Sequence, residues 1–192
     1  MARITDQNKV ERLKQSTMKL VVEYGFGGAS AALIAKDAKV ASGYFYMHYK
    51  GKYEMVNAIL QEVYLEVFSK FDELIKEDTP FGKIIEKMVR HFVDIANSEP
   101  IKVKFLYVLT NDYNFVIDND LRQKNLRFIE TIRTVGINSG SLDKQLTVED
   151  LYLILFIMTT QFINQKYKYA EQEQITEDDT SHLLNLFLKI LK

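Results

Sequence analysis

The chain has 192 residues, 47% of them hydrophobic, which is enough for one or two domains with a substantial core. It contains no cysteine, which excludes disulfide bridges and thiolate metal sites. The net charge is only −1, but residues 1–52 carry nine Lys and Arg against four Asp and Glu, whereas residues 53–192 carry 16 against 22. This basic N-terminal part on an acidic body indicates a protein that presents one face to nucleic acid. The alternative is a solvated surface whose charges are unevenly distributed by chance.

The N-terminus and the longest apolar run bear on cellular location. The first 15 residues, MARITDQNKVERLKQ, are polar and do not resemble a signal peptide. The longest uninterrupted apolar run, residues 151–158, is too short to cross a bilayer. We therefore expect a soluble cytoplasmic protein without a membrane partner.

The first predicted helix begins after a polar N-terminal segment. Thr5 or Asp6 is its candidate N-cap, and Gly25 is expected to end it. Its apolar positions recur at helical spacing: Val10, Leu13, Thr17, Leu20, Val21 and Tyr24.

Residues 25–52 contain five of the eight glycines and have room for two short helices. Ser30 is the predicted N-cap of the first, over residues 31–38. Residues 39–41 make a turn, and residues 42–49 make the second helix, in which Phe45 and Tyr49 face the same way. Two short helices joined by a tight turn are typical of the helix-turn-helix, whose second helix enters a DNA major groove.

The remainder of the chain shows helical periodicity and no strand-like alternation. A long helix is expected from Lys52 to about residue 75, and it is the only continuous element that would join the basic part to the body. Further helices are predicted at 81–97, 101–111, 120–135, about 147–170 and 180–191. Their expected caps or ends are Asp118 or Asn119, Gly136, Thr147 with Asp150, and Thr180.

The last two predicted helices are apolar on nearly every side, over residues 151–158 and 183–191. Such helices must be covered all round, and the chain has few other elements to do so. We therefore expect them to pair with the same two helices of a second chain, in a four-helix bundle about a two-fold axis.

The stretch around residues 25–52 resembles the DNA-binding segment of the TetR/AcrR-type bacterial transcriptional regulators. The similarity covers about residues 9–55 and has no gap. The residues that carry it are Gly25, Ser30, Ile34, Ala35, Ala38, Val40, Gly43, Phe45, Tyr46, His48, Tyr49 and Lys52.

This resemblance implies an all-α protein with about nine helices in total. Its three-helix DNA-binding domain would occupy residues 1–52, and an effector-binding and dimerisation domain would occupy residues 53–192. It also implies a homodimer on a palindromic operator. The residues expected at double-stranded DNA are Ser30, Lys39, Ser42, Gly43, Tyr44, Tyr46, Met47, His48 and Lys52.

Within this set, the family's base-reading positions fall on Ser42, Gly43 and Tyr44, and its phosphate-binding positions fall on Tyr46, His48 and Lys52. Lys39 stands where the turn normally has Gly, and positive φ there would cost about 1 kcal/mol. The usual Ser cap of the second helix is replaced by Ala, so Ser42 either reads a base or caps the helix. Tyr46 has a core position as its alternative, whereas Phe45 and Tyr49 are expected in the core.

The middle helices are rich in aromatic residues with a few polar groups among them, which suits a pocket for a small, largely hydrophobic effector as well as a packed core. The resemblance places an effector pocket in this region without naming its residues. The candidates by composition are Phe71, His91, Phe92, Phe105, Tyr107, Asn111, Tyr113, Phe128 and Gln161.

No catalytic set, metal site or cofactor motif is found in the sequence. The three histidines are far apart, and Gly25–Gly28 follows a helix, without dinucleotide-binding spacing. The sequence therefore predicts a ligand-responsive homodimeric transcription regulator, more plausibly a repressor, and not an enzyme. The alternative is an all-helical small-molecule binding or carrier protein with a vestigial DNA-binding domain.

Overall fold

The computed structural model describes residues 7–68, 79–169 and 174–192. These residues form nine helices and no strand, which confirms the predicted all-α fold class. The helices are α1 (Gln7–Gly28), α2 (Ala31–Asp37), α3 (Ser42–His48), α4 (Lys52–Phe68), α5 (Phe81–Ser98), α6 (Pro100–Asn111), α7 (Asn119–Asn138), α8 (148–169) and α9 (Glu177–Ile190).

Helix α8 is continuous but changes its winding. An α-helical turn, Val148–Tyr152, leads into a π-helical turn, Leu153–Ile157, and α-helix resumes over Met158–Tyr169. No helix in the described ranges is long and apolar enough to span a membrane. The predicted cap at Thr5 or Asp6 and the predicted course of the long helix through residues 69–75 lie outside the described residues.

The chain divides into two compact units. The first comprises the residues up to Glu62 together with Lys104–Ile117, and it contains the helix-turn-helix. The second comprises Val63–Val103 and Asp118–Lys192. Helices α4 and α6 each contribute residues to both units.

The helix ends follow the predicted caps with two exceptions. Ser30, Asp118 and the capping box of Thr147 with Asp150 cap α2, α7 and α8 as expected. Thr180 does not cap the last helix. That helix begins earlier, because Thr176 and Asp179 form a second capping box.

Gly136 is the other exception, because α7 continues through it to Asn138. A Cβ atom at Gly136 would lie 2.7 Å from a carbon of the Phe81 ring and 2.8 Å from the Cβ of Leu142. This glycine therefore allows α5 and the 139–147 connection to approach the helix closely, and does not end it.

Gly25 breaks α1 as predicted, with φ +71° and ψ 172°, a region that only glycine enters readily. The turn after α6 packs against this break. The carboxylate of Asp112 accepts hydrogen bonds from the Phe26 N–H at 2.7 Å and the Asn114 N–H at 2.8 Å. The ring centroids of Phe26 and Phe115 are 5.0 Å apart.

The core of the second unit is formed by α5, α7, α8 and α9. Its fully or almost fully buried members are aliphatic and aromatic side chains that cover one another across the four helices: Phe81, Ile84, Ile85, Ile129, Ile132, Leu151, Leu183 and Phe187.

Polar contacts fix the start of α9 on this core. Arg90 of α5 forms two hydrogen bonds with Glu177, at 2.8 and 2.7 Å. Lys166 of α8 forms an ion pair with Asp179 at 2.6 Å. Burial alone would raise the pKa of Asp179, but hydrogen bonds from Lys166 and Thr176 outweigh it and lower this pKa from 3.8 to about 2.

We expect Asp179→Asn to lower the free energy of unfolding by about 2 kcal/mol at pH 7. Because the folded pKa of Asp179 is depressed, its contribution is complete above about pH 5 and is lost as the pH falls through 3.8 toward about 2. Denaturant unfolding at fixed protein concentration across this pH range measures the difference. The exposed neighbour Asp178, changed to Asn, is the control, and an equal loss there would contradict the assignment.

We expect Gly25→Ala to destabilise the protein by about 1–3 kcal/mol, because the backbone conformation excludes a side chain and a Cβ would lie 3.2 Å from Asp112 Oδ2. Gly43→Ala is the matched control, since its Cβ would meet nothing within 4 Å and alanine favours helix. Thermal unfolding compares the two variants, and equal midpoints would contradict the prediction.

Candidate nucleic-acid interface

The turn between α2 and α3 has the geometry of a helix-turn-helix. The Ser30 hydroxyl accepts the Leu33 N–H at 3.2 Å at the start of α2. Lys39 has φ 55°, the only positive φ of a non-glycine residue in the described ranges. The turn therefore adopts the glycine-type backbone although it carries a lysine.

Helix α3 is held by its single fully buried side chain, Phe45. Phe45 contacts Tyr49, with ring centroids 5.9 Å apart, and Tyr49 is half-buried at the end of the helix. The N-cap of α3 is Ala41, without a side-chain hydrogen bond, and Ser42 is the first helical residue. Ser42 is therefore not the cap, and its side chain lies exposed at the tip of the helix.

The remaining side chains of α3 form a solvent-facing surface, which we call the α3 face: Ser42, Gly43, Tyr44, Tyr46, Met47 and His48. Tyr46 is 60% exposed, which rules out the core position left open for it. The rings of Tyr44 and His48 pack together at 4.7 Å, and the Lys9 ammonium lies 5.6 Å from the Tyr44 ring.

Lys52 is engaged within the first unit. Its ammonium donates to the Phe26 carbonyl, lies 3.5 Å from the Gly27 carbonyl oxygen, and is 4.2 Å from the Phe26 ring centroid. Burial lowers the pKa of Lys52 while the charge of Asp112 opposes that shift. Lys52 thus stabilises the end of α1, and a phosphate contact by this residue stays a prediction.

The sequence did not predict the part that residues 112–117 play beside the helix-turn-helix. The Tyr53 hydroxyl donates to the Val116 carbonyl at 3.1 Å, and Phe115 is buried with its ring 6.0 Å from that of Tyr53. The available signal was local, an Asp followed two residues later by Asn after a helix, which is typical of an Asx turn. Nothing local indicated which surface this turn would meet.

The composition-based effector candidates are divided between the two units. Phe105, Tyr107, Asn111 and Tyr113 belong to the first unit, where Phe105 is fully buried and Tyr113 is fully exposed. The candidates in the second unit are His91, Phe92, Phe128 and Gln161, while Phe71 lies outside the described residues.

The second unit contains a narrow apolar cavity among α4, α5, α7 and α8. Phe92 is the one predicted candidate among its lining residues, and Phe128 packs on the lining residue Phe68 at 4.6 Å. The room for the centre of a water molecule is about 10 Å³, so the cavity as it stands holds no more than one water. The lining residues are Val67, Phe68, Met88, Val89, Phe92, Ile129, Leu155, Phe156 and Thr159.

The helix-turn-helix and the whole chain are both similar to known regulators. Residues 15–59 match the family described as "Bacterial regulatory proteins, tetR family". The "Fatty acid metabolism regulator protein" of Bacillus subtilis (strain 168) is 25% identical over 173 residues, which are 83% of this chain and 87% of that protein.

Two solved structures share the fold. A TetR family transcription regulator from Marinobacter aquaeolei VT8 superposes with a TM-score of 0.78 at 15% identity, covering 97% of this chain and 96% of its own. The regulator FadR from Bacillus subtilis, in complex with stearoyl-CoA, has a TM-score of 0.69 at 19% identity, with 94% and 96% covered. The helix-turn-helix therefore carries the sequence pattern of the tetR family, and the whole chain shares the fold of solved TetR-type transcriptional regulators.

Proposed function

We propose that this protein is a homodimeric repressor that leaves a palindromic operator when a small, largely hydrophobic effector fills the second unit. Residues 1–52 would read DNA, and residues 53–192 would bind the effector and dimerise, in the cytoplasm. The observation that carries the proposal is the α3 face, a set of polar and aromatic side chains held outward by one buried ring, Phe45.

The α3 face has the chemistry for both kinds of DNA contact. Ser42, Gly43 and Tyr44 stand at the N-terminal end of α3, the end that meets base edges in a helix-turn-helix. Gly43 has open space where a Cβ would be, so the backbone can approach a groove there. Tyr46 and His48 are placed to hydrogen-bond phosphates, which fix the register of the helix without reading sequence.

Ser30, Lys39 and Met47 extend this surface. All three are exposed, and Ser30 and Lys39 lie at the two ends of α2. A lysine at the turn can place its ammonium on a phosphate and so offset the strain of its positive φ. Met47, 50% exposed, suits apolar contact with a thymine methyl group or the sugar backbone.

We infer the dimer from apolar side chains that the last two helices leave exposed. Leu153 of α8 is 53% exposed, and Leu188 and Ile190 of α9 are 37% and 38% exposed. Pairing α8 and α9 with their copies in a second chain would remove this apolar surface from water. A two-fold dimer with two reading helices calls for half-sites about one helical turn apart, roughly 34–36 Å.

The effector class follows from the cavity and from the relatives. The cavity is lined by apolar and aromatic side chains with Thr159 as the polar lining residue. One relative is a fatty acid metabolism regulator and another was solved with stearoyl-CoA, so we propose an effector with an acyl chain. Because the cavity holds at most one water, ligand entry must move its walls. A ligand that binds one state of the protein more tightly than another shifts the equilibrium toward that state.

We expect Gly43→Ala to fold as stably as the parent or slightly more so and to lose operator affinity at least tenfold. A methyl group there enters the space needed by DNA but meets nothing in the free protein. The assay is fluorescence anisotropy with a duplex selected from a random library and a series of salt concentrations. Binding of the parent protein to the duplex should depend on salt concentration and on DNA sequence, and stearoyl-CoA should release the protein from the duplex.

In the same assay, Lys39→Gly should stabilise the protein by about 1 kcal/mol while weakening binding to all duplexes and reducing the salt slope by about one phosphate. If Gly43→Ala and Lys39→Gly both bound DNA like the parent, the proposed DNA-binding surface would be wrong. A parent protein without sequence preference would favour the carrier alternative instead.

We expect Leu153→Glu combined with Leu188→Glu to convert the dimer to monomers and to abolish tight operator binding, because both charges would be buried at the interface. Leu65→Glu is the matched control, since Leu65 is 60% exposed on α4, outside the proposed interface. Light scattering coupled to gel filtration measures the mass. A monomeric parent at micromolar concentration would refute the proposal.

A further inference from the structure

A hydrogen bond joins α4 to α8 inside the second unit. The hydroxyl oxygens of Tyr64 and Tyr152 are 3.1 Å apart, Tyr64 is 4% exposed, and Tyr152 is half-buried. Burial raises the pKa of both hydroxyls, so both are protonated at neutral pH and the bond lies between uncharged groups. The bond therefore sets the distance between α4 and α8 at this place.

The rings of the two tyrosines pack directly on the wall of the apolar cavity. The centroid of the lining residue Phe156 lies 5.1 Å from that of Tyr64 and 5.2 Å from that of Tyr152. Tyr64 also stacks on the lining residue Phe68, with ring centroids 5.8 Å apart and ring planes inclined by only 4°. The hydroxyl pair is therefore connected to the cavity by ring contacts on both of the helices that it joins.

Phe156 stands at the centre of this aromatic cluster. It is 2% exposed, and besides the two tyrosines its ring contacts Phe92 edge-on at 5.5 Å and Phe68 at 6.1 Å. Four rings from α4, α5 and α8 thus contact one side chain. A movement of Phe156 away from the cavity would disturb its stacking on both tyrosines.

The backbone that carries Phe156 departs from α-helical winding. The π-helical turn Leu153–Ile157 begins immediately after Tyr152 and includes the lining residues Leu155 and Phe156. Such turns are rare inside α-helices, and where they occur they are frequently at functional sites. A change between π and α winding would rotate the residues before the turn relative to those after it. We therefore expect the cavity wall on α8 to move at this turn, next to the tyrosine pair.

A wider cavity and an intact Tyr64–Tyr152 hydrogen bond exclude each other. The room for the centre of a water molecule is about 10 Å³, so a hydrocarbon chain enters only if the walls part. The hydroxyl oxygens are already 3.1 Å apart, and a further separation of about 0.5 Å ends the hydrogen bond. A hydrocarbon chain is several times wider than that, so parting α4 from α8 far enough to admit one breaks the bond.

We propose that the hydrogen bond between Tyr64 and Tyr152 keeps the cavity closed and so limits the affinity of the second unit for its effector. This inference rests on the proposed function, because it concerns the same effector site. The two tyrosines are positioning residues, which act through Phe68 and Phe156. The unliganded protein is then an equilibrium between a closed state with the bond and an open state without it. The ligand binds the open state, and its measured affinity is reduced by the small population of that state.

The first test measures ligand binding by isothermal titration calorimetry without DNA, with stearoyl-CoA as the probe. Tyr64→Phe and Tyr152→Phe keep the ring and remove one hydroxyl, so the bond is lost from the closed state. We expect each variant to bind stearoyl-CoA about twofold to tenfold more tightly than the parent, as the loss of one neutral hydrogen bond would give. The double variant should bind no more tightly than the tighter single variant, because either single change already removes the bond.

Tyr167→Phe is the matched control on the same helix. The Tyr167 hydroxyl donates to the Ala96 carbonyl at 2.7 Å, and Tyr167 does not line the cavity. This variant also loses a tyrosine hydrogen bond of the second unit, but it should bind stearoyl-CoA like the parent. An equal gain in affinity there would mean that any loss of stability opens the cavity, and it would overturn the assignment to the Tyr64–Tyr152 bond.

The second test needs no ligand. Amide hydrogen exchange followed by mass spectrometry measures how often a segment opens. In residues 153–159, which cover the π-helical turn and Thr159, Tyr64→Phe and Tyr152→Phe should each raise the exchange rate by about twofold to tenfold, the same factor as for ligand affinity. Tyr167→Phe should leave the exchange of this segment unchanged.

The outcomes separate this inference from the proposed function. If stearoyl-CoA does not bind the parent, the proposed effector class is wrong, and hydrogen exchange alone decides on the role of the bond. Unchanged exchange of residues 153–159 in both variants, or a ligand affinity that is unchanged or lower, overturns the inference even if stearoyl-CoA releases the operator. Faster exchange together with tighter, non-additive ligand binding supports it.

Discussion

The burial of Phe45 is the constraint on which the α3 face depends. A helix of seven residues is not stable in water, so α3 exists only because its one apolar ring fills the core made with α1 and α2. Leu13, Val21 and Ile34 are likewise fully buried there. Once Phe45 points inward, helical spacing forces its neighbours on α3 to point outward.

Part of the positive charge that suggested a nucleic-acid partner is engaged in ion pairs and hydrogen bonds within the protein. Lys14 forms an ion pair with Glu62, Lys19 forms one with Asp37, each at 2.7 Å, and the Arg12 side chain donates to the Ala38 carbonyl. The Lys52 ammonium donates a hydrogen bond to the Phe26 carbonyl near the end of α1. The electrostatic attraction available for DNA is therefore smaller than the formal excess of positive charge, and it falls mainly to exposed lysines near α2 and α3.

The second unit combines a close-packed apolar core with a small polar group at its edge. Polar atoms in such a place are costly unless they are paired. The hydroxyls of Tyr64 and Tyr152 share a hydrogen bond, whereas the buried side-chain nitrogen of Asn125 has no partner among the described residues.

The sequence by itself determined the helices, the caps at Ser30 and Thr147, a cap at Asp118 or Asn119, and the break at Gly25, because these depend on residues a few positions apart. It also determined which side of α3 is buried. Only the tertiary structure decided that Lys52 meets the end of α1, that Gly136 lies inside a helix against Phe81, and that Tyr64 and Tyr152 share a hydrogen bond. Those contacts join segments far apart in the chain, and helical periodicity tells which face is apolar without telling which distant face will cover it.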